Sequence, residues 1–108
     1  MNERICESYK VKLYLSGSYD DAIRACRQYV NDVGLCVTVE RADYVYSYGM
    51  ESGVVVGLLN YPRFPATKDQ VYKKAEGLAI YLKRELCQSS VLIDDGETAK
   101  WLTTREVE

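Results

Sequence analysis

The residues that stand out in this sequence are suited to gripping flat and anionic ligands. Ten of its 108 residues are tyrosine, against one Phe and one Trp. Each tyrosine carries an apolar ring and a polar tip, which suits ligand pockets and interfaces alike. Tyr44, Tyr46 and Tyr48 alternate, so on a strand they form one row, and a base stacked on such a ring gains about 1–3 kcal/mol. Next comes Asn60-Tyr61-Pro62-Arg63-Phe64-Pro65. Arg63 lies between two prolines on a stiffened loop, so its fork loses little freedom on gripping a phosphate or carboxylate. In Gly49-x-Glu51-x-Gly53, two glycines bring backbone close to a ligand while Glu51 accepts from a ribose hydroxyl. Arg105 is a second candidate cation. Each feature has a plainer reading: a tyrosine row buried in a partner subunit, a rigid connection with Phe64 in the core, and a simple hairpin loop.

Groups for covalent chemistry are scarce. With no histidine in the chain, Ser-His and Cys-His nucleophiles are absent, as are zinc sites that need histidine. Cys6, Cys26, Cys36 and Cys87 form no C-x-x-C pair and read as reduced, mostly buried thiols. Asp20-Asp21 and Asp94-Asp95 fall where helix caps and turns favour aspartate. Ser16-Gly17-Ser18 lacks the lysine and the length of a P-loop and reads as a helix cap. The expectation is a protein that is not an enzyme, with no catalytic residue, no metal and no cofactor. Fourteen basic against sixteen acidic residues exclude a general nucleic-acid binder, which needs a basic excess.

These groups must be positioned by one domain, residues 1–108, because the length leaves room for a single core. No apolar run approaches the ~20 residues of a membrane helix, and the N-terminus has no signal-peptide core, which implies a cytoplasmic protein. Tyr9 to Leu15 alternates as a first strand, and Ser18 caps a helix from Tyr19 to Val33 that Gly34 stops. A second strand starts at Leu35 and a third covers Val54 to Leu59, with Gly49 to Gly53 as a loop. Thr67 and Gln70 form a capping box for the second helix. Val91-Leu92-Ile93, the Asp95-Gly96 turn and a return strand from Thr98 to Thr104 complete the chain. The order β-α-β-β-α-β plus a hairpin strand is the α+β, ferredoxin-like split β-α-β arrangement: an antiparallel sheet with both helices on one face. The other face, carrying Lys10, Lys12, Tyr14 and the tyrosine row, is left uncovered.

From Tyr44-x-Tyr46 through Gly49-x-Glu51-x-Gly53 to Asn60-Tyr61-Pro62-Arg63-Phe64-Pro65, the sequence resembles a family of small accessory proteins of tailed bacteriophages and prophages. That resemblance implies action in bacterial cytoplasm, against host defence, but it carries over no catalytic residue. The combined expectation is a binder that sequesters a small nucleotide-like ligand. Arg63 and Arg105 would hold phosphate, Tyr46, Tyr48 or Tyr61 would stack on a base, and Asn60 and Glu51 would read polar edges. The alternative is an inhibitor that docks its open sheet face on a host protein. An aromatic face left to water is rare on a monomer, so a homodimer or a higher even-numbered oligomer is also expected.

Overall fold

In the computed structural model, which describes residues 1–105, the central strand β1 (Lys10–Ser16) is hydrogen-bonded on both sides. Its alternation is the reason. Val11, Leu13 and Leu15 are buried toward the helices, while Lys10, Lys12 and Tyr14 point to the open face. Helix α1 (Tyr19–Val33) begins where the Ser18 hydroxyl accepts from the Asp21 N–H, and ends at Gly34, which has φ 72°. Strands β2 (Val37–Tyr46) and β3 (Gly49–Leu59) form a long hairpin. Helix α2 (Lys68–Glu85) opens with the complete Thr67/Gln70 capping box. Strands β4 (Ser90–Asp94) and β5 (Ala99–Thr103) close the chain around the Asp95-Gly96 turn.

The strand order is β2-β3-β1-β4-β5, with every pairing antiparallel. This is the expected split β-α-β sheet with one added edge strand. The core lies between the sheet and the two helices. Leu13, Val56, Leu58 and Ile93 meet Leu78 and Leu82 of α2, and the small Ala22, Ala25, Ala75 and Ala79 let the helices approach closely.

The structure departs from the sequence reading in the hairpin. Gly49 to Gly53 is not a loop: those residues pair with Ala42 to Tyr46 and extend β3 by a further five positions. Side-chain alternation continues through them, and the loop shrinks to Ser47-Tyr48. Because β1 reaches only to the Ser16–Gly53 pair, the last part of the hairpin projects as a two-stranded arm. Tyr48 sits at its tip with φ 68° and is fully exposed, so it does not continue the Tyr44–Tyr46 row. The thiols also differ from expectation, since only Cys26 is buried while Cys36 and Cys87 are exposed. Both exposed thiols follow helix ends, Cys36 beyond α1 and Cys87 beyond α2, where the helices no longer cover them.

Candidate functional site: a cleft on the open sheet face

The open face contains a cleft of about 590 Å³ at the C-terminal end of β1. That size falls within the roughly 300–1,000 Å³ of ordinary ligand pockets. Its floor follows from register. Tyr14 lies opposite Leu92, and Leu92 opposite Trp101, so three apolar side chains from β1, β4 and β5 run side by side. One wall is the projecting β2–β3 arm. The other is the turn after α2, Gln88 to Ser90, together with Arg105.

On the arm, the Gly-x-Glu-x-Gly motif acquires a structural meaning. Gly49, Glu51 and Gly53 alternate onto the open face, and the two glycines seat the tyrosine rings of β2. A Cβ at Gly53 would stand 2.6 Å from Cε2 of Tyr44 and collide with the Leu15 carbonyl, while a Cβ at Gly49 would collide with the Tyr46 ring. The missing side chains therefore let both rings lie flat on the sheet, as edge glycines do when aromatics cover them. Glu51 lies between the two rings, directly opposite Tyr44. Its carboxylate accepts a 2.5 Å hydrogen bond from the Ser16 hydroxyl across the end of β1. The Tyr44 hydroxyl donates to the Val54 carbonyl, and burial holds its pKa above the ordinary tyrosine value. Tyr44 is thus a neutral, anchored ring.

Of the residues singled out from sequence, Tyr46, Glu51 and Arg105 are brought together here. Tyr48 is not, because the hairpin turn carries it off the sheet face. Asn60, Tyr61 and Arg63 lie at the opposite end of β1, seven residues and roughly 20 Å away at strand rise. The Asn60 side chain is occupied there: its amide donates to the Glu7 carbonyl at 2.9 Å and its oxygen accepts from the Ala66 N–H at 2.9 Å. It fastens the N-terminal lead to the loop before α2. Tyr61 stacks on Phe64 with ring centroids 5.4 Å apart. Phe64 is exposed, so it does not plug the core, and Tyr61 lies at the far end of β1 from the cleft. The hollow beside Asn60 and Tyr61 holds only about 40 Å³, too small for a nucleotide.

Trp101, Ser16, Ser89 and Ser90 were not read as site residues from sequence. Pairing across the Asp95-Gly96 turn puts Trp101 on the same face as Tyr14, a signal present in the parity of the two strands. The placement of Gln88 to Ser90 had no such signal. It depends on Cys87, which takes φ 54° after α2 and lets the Gln88 N–H reach back to the Lys83 carbonyl at 2.8 Å.

Fold and site together define a small α+β protein with an aromatic cleft on an open sheet face, one acid on one wall and one base on the other. Its fold matches that of phage SAM lyase. A phage SAM lyase in the apo state superposes with a TM-score of 0.74 at 14% identity, covering 100% of this chain and 99% of the other. A phage SAM lyase in complex with S-methyl-5'-thioadenosine gives 0.67 at 13% identity, covering 100% and 98%. No family model matches the chain, and neither does any curated protein. The expectation of a protein without enzymatic activity is corrected by this match: the fold shared over the whole chain is that of an enzyme, phage SAM lyase. The small ligand of the neighbour is a nucleoside, in the class the tyrosines and acid suggested. Among the described residues, no helix is long and apolar enough to cross a membrane.

Proposed function

We propose that this chain is a SAM lyase: it binds S-adenosylmethionine in the open-face cleft and releases S-methyl-5'-thioadenosine. The observation that carries the reading is the full-length fold match to phage SAM lyase in its apo and S-methyl-5'-thioadenosine forms. The cleft supports it with flat rings for the base and Glu51 for a cationic group.

Forming that product breaks the bond between the sulfonium sulfur and the γ carbon of the amino-acid chain. The sulfur leaves as a neutral thioether, so the substrate supplies its own activated leaving group. Attack of the substrate's carboxylate oxygen on the γ carbon balances the reaction. A carbon–oxygen bond forms, the carbon–sulfur pair moves to sulfur, and a lactone departs with its ammonium group unchanged. No proton has to move, which explains how a chain without histidine could be an enzyme. Carboxylate and sulfonium neutralise each other along this path, and an apolar floor of Tyr14, Leu92 and Trp101 favours charge neutralisation by excluding water. The protein's work is to fold the substrate so that the two groups meet.

The setting follows from the same reading. A phage accessory protein that destroys a host nucleoside would act in the bacterial cytoplasm, against defences that need that nucleoside. Self-association keeps a physical basis in the arm, where Val45, Tyr46, Tyr48 and Met50 are all exposed. Light scattering should give a mass above the 12.3 kDa of one chain, and a monomer at micromolar concentration would end that part of the proposal. For the activity, purified protein is incubated with S-adenosylmethionine and the products separated. S-methyl-5'-thioadenosine and a lactone are expected. If neither product nor binding of either nucleoside is seen, the reading fails.

A further inference from the structure

We infer that Arg105 recognises the substrate's α-carboxylate, so that the cleft selects adenosyl thioethers and sulfoniums that keep an intact amino-acid head. The inference rests on the lyase reading and names a specificity residue for it. Among the described residues lining the cleft, Arg105 is the one cation and Glu51 the one anion.

Arg105 is held in place by the chain around it. The Thr104 N–H donates to the Ser89 carbonyl at 2.8 Å, and the Thr104 hydroxyl donates to the same oxygen at 3.3 Å. The Ser90 and Thr103 hydroxyls meet at 2.8 Å, and the Arg105 N–H donates to Thr103 Oγ1 at 3.0 Å. Finally, Arg105 Nε donates to Ser89 Oγ at 2.9 Å. The end of β5 is thus fastened to the turn before β4, and the guanidinium is oriented through Nε. Its two terminal amino groups have no partner among the described residues. A guanidinium fixed in this way offers two parallel N–H donors in one plane, the geometry that matches a carboxylate.

Glu51 faces it from the other wall. It lies on β3 and Ser89 leads into β4, with β1 between them, so the two anchors are about two strand spacings, roughly 10 Å, apart. The cleft between them, with Tyr14 and Ser16 in its lining, is suited to an ammonium and a carboxylate on one carbon. Opposite charges on opposite walls also fix which way round the amino-acid head lies, and hence where its carboxylate points relative to the γ carbon. S-methyl-5'-thioadenosine has no amino-acid head and should not use Arg105.

The test compares three ligands by titration calorimetry on the full chain. S-adenosylhomocysteine keeps the amino-acid head but is a neutral thioether that cannot be cleaved by this route. S-methyl-5'-thioadenosine lacks the head, and decarboxylated S-adenosylmethionine lacks only the carboxylate. The wild type should bind S-adenosylhomocysteine at least tenfold more tightly than S-methyl-5'-thioadenosine. Arg105→Gln should narrow that margin at least fivefold, the remainder being the contact of Glu51 with the ammonium, while leaving affinity for the other two ligands within twofold, which also shows that the variant is folded. Arg105→Lys should restore part of the margin. If the wild type shows no margin, or Arg105→Gln keeps it, the Arg105 assignment is overturned while the lyase reading stands. If the wild type binds none of the three and makes no product, the lyase reading fails and takes this inference with it.

Discussion

The hydroxyl of Ser16 donates to the carboxylate of Glu51 at 2.5 Å, joining the last residue of β1 to the middle of the projecting arm of β3. The bond is possible because Ser16 pairs with Gly53 and Glu51 lies two positions further along the same face. It holds the carboxylate against the sheet, between the Tyr44 and Tyr46 rings.

Glu51→Gln keeps this shape and removes the charge. If Glu51 holds a cationic group of the substrate, turnover of S-adenosylmethionine should fall by roughly 10- to 150-fold, since a charge-assisted hydrogen bond contributes about 1.5–3 kcal/mol. Affinity for neutral S-methyl-5'-thioadenosine should change little. Ser16→Ala should have a smaller effect of about tenfold, expressed mainly in kcat, because it loosens Glu51 without removing it. Steady-state kinetics on both variants checks the order of the two effects.

Gly53→Ala tests whether the motif exists to seat tyrosine rings. The added methyl would press on Tyr44 and on the backbone of β1. Overpacking of this kind costs about 1–3 kcal/mol, so the melting temperature should drop by several degrees. The cleft should lose ligand affinity at the same time. An unchanged melting temperature would show that the sheet accommodates the methyl and that Gly53 has another role.

The opposite end of β1 gives a contrasting pair. Asn60→Ala leaves the Glu7 carbonyl and the Ala66 N–H without their partner, and should destabilise the fold by about 1–3 kcal/mol. Arg63→Ala removes an exposed side chain far from the cleft and should leave stability and activity alike unchanged. A denaturant titration of both variants, with a rate measurement on Arg63→Ala, separates a structural residue from a functional one. Loss of activity in Arg63→Ala would return the proline-bracketed loop to the site.

Stability should decline in alkali. Burial pushes the Cys26 thiol up to about 11 from an ordinary value of 9.0 and raises the Tyr44 hydroxyl as well. Both groups are neutral when protonated, so raised folded-state values mean that the unfolded chain gives up these protons first. The contribution of Cys26 is complete below pH 9 and is lost as the pH climbs from 9 toward 11, while that of Tyr44 begins to fall only above its ordinary value of 10.0. Cys26→Ala should flatten this decline, although it also trims the core. Melting curves between pH 7 and pH 11 on the two proteins provide the comparison.

Much of this molecule follows from local patterns alone. The alternation of Val11, Leu13 and Leu15, the caps at Ser18 and Thr67 and the Asp95-Gly96 turn each act within a few residues, so their physics is complete in the sequence. They determine the element order and, with it, an open sheet face bearing Tyr14, Tyr44 and Tyr46. The choice between the two ends of that face lay outside local reach. Arg63 looked suited to an anion because its loop is stiff, yet stiffness says nothing about which cavity lies beside it. Glu51, Arg105 and Trp101 come together because β1 inserts between β3 and β4, a pairing between segments more than thirty residues apart in the chain. The Gly-x-Glu-x-Gly segment read as a loop because glycines mark turns when nothing covers them. In the sheet, the rings of Tyr44 and Tyr46 cover them, and only tertiary packing could convert a break signal into one wall of a binding site.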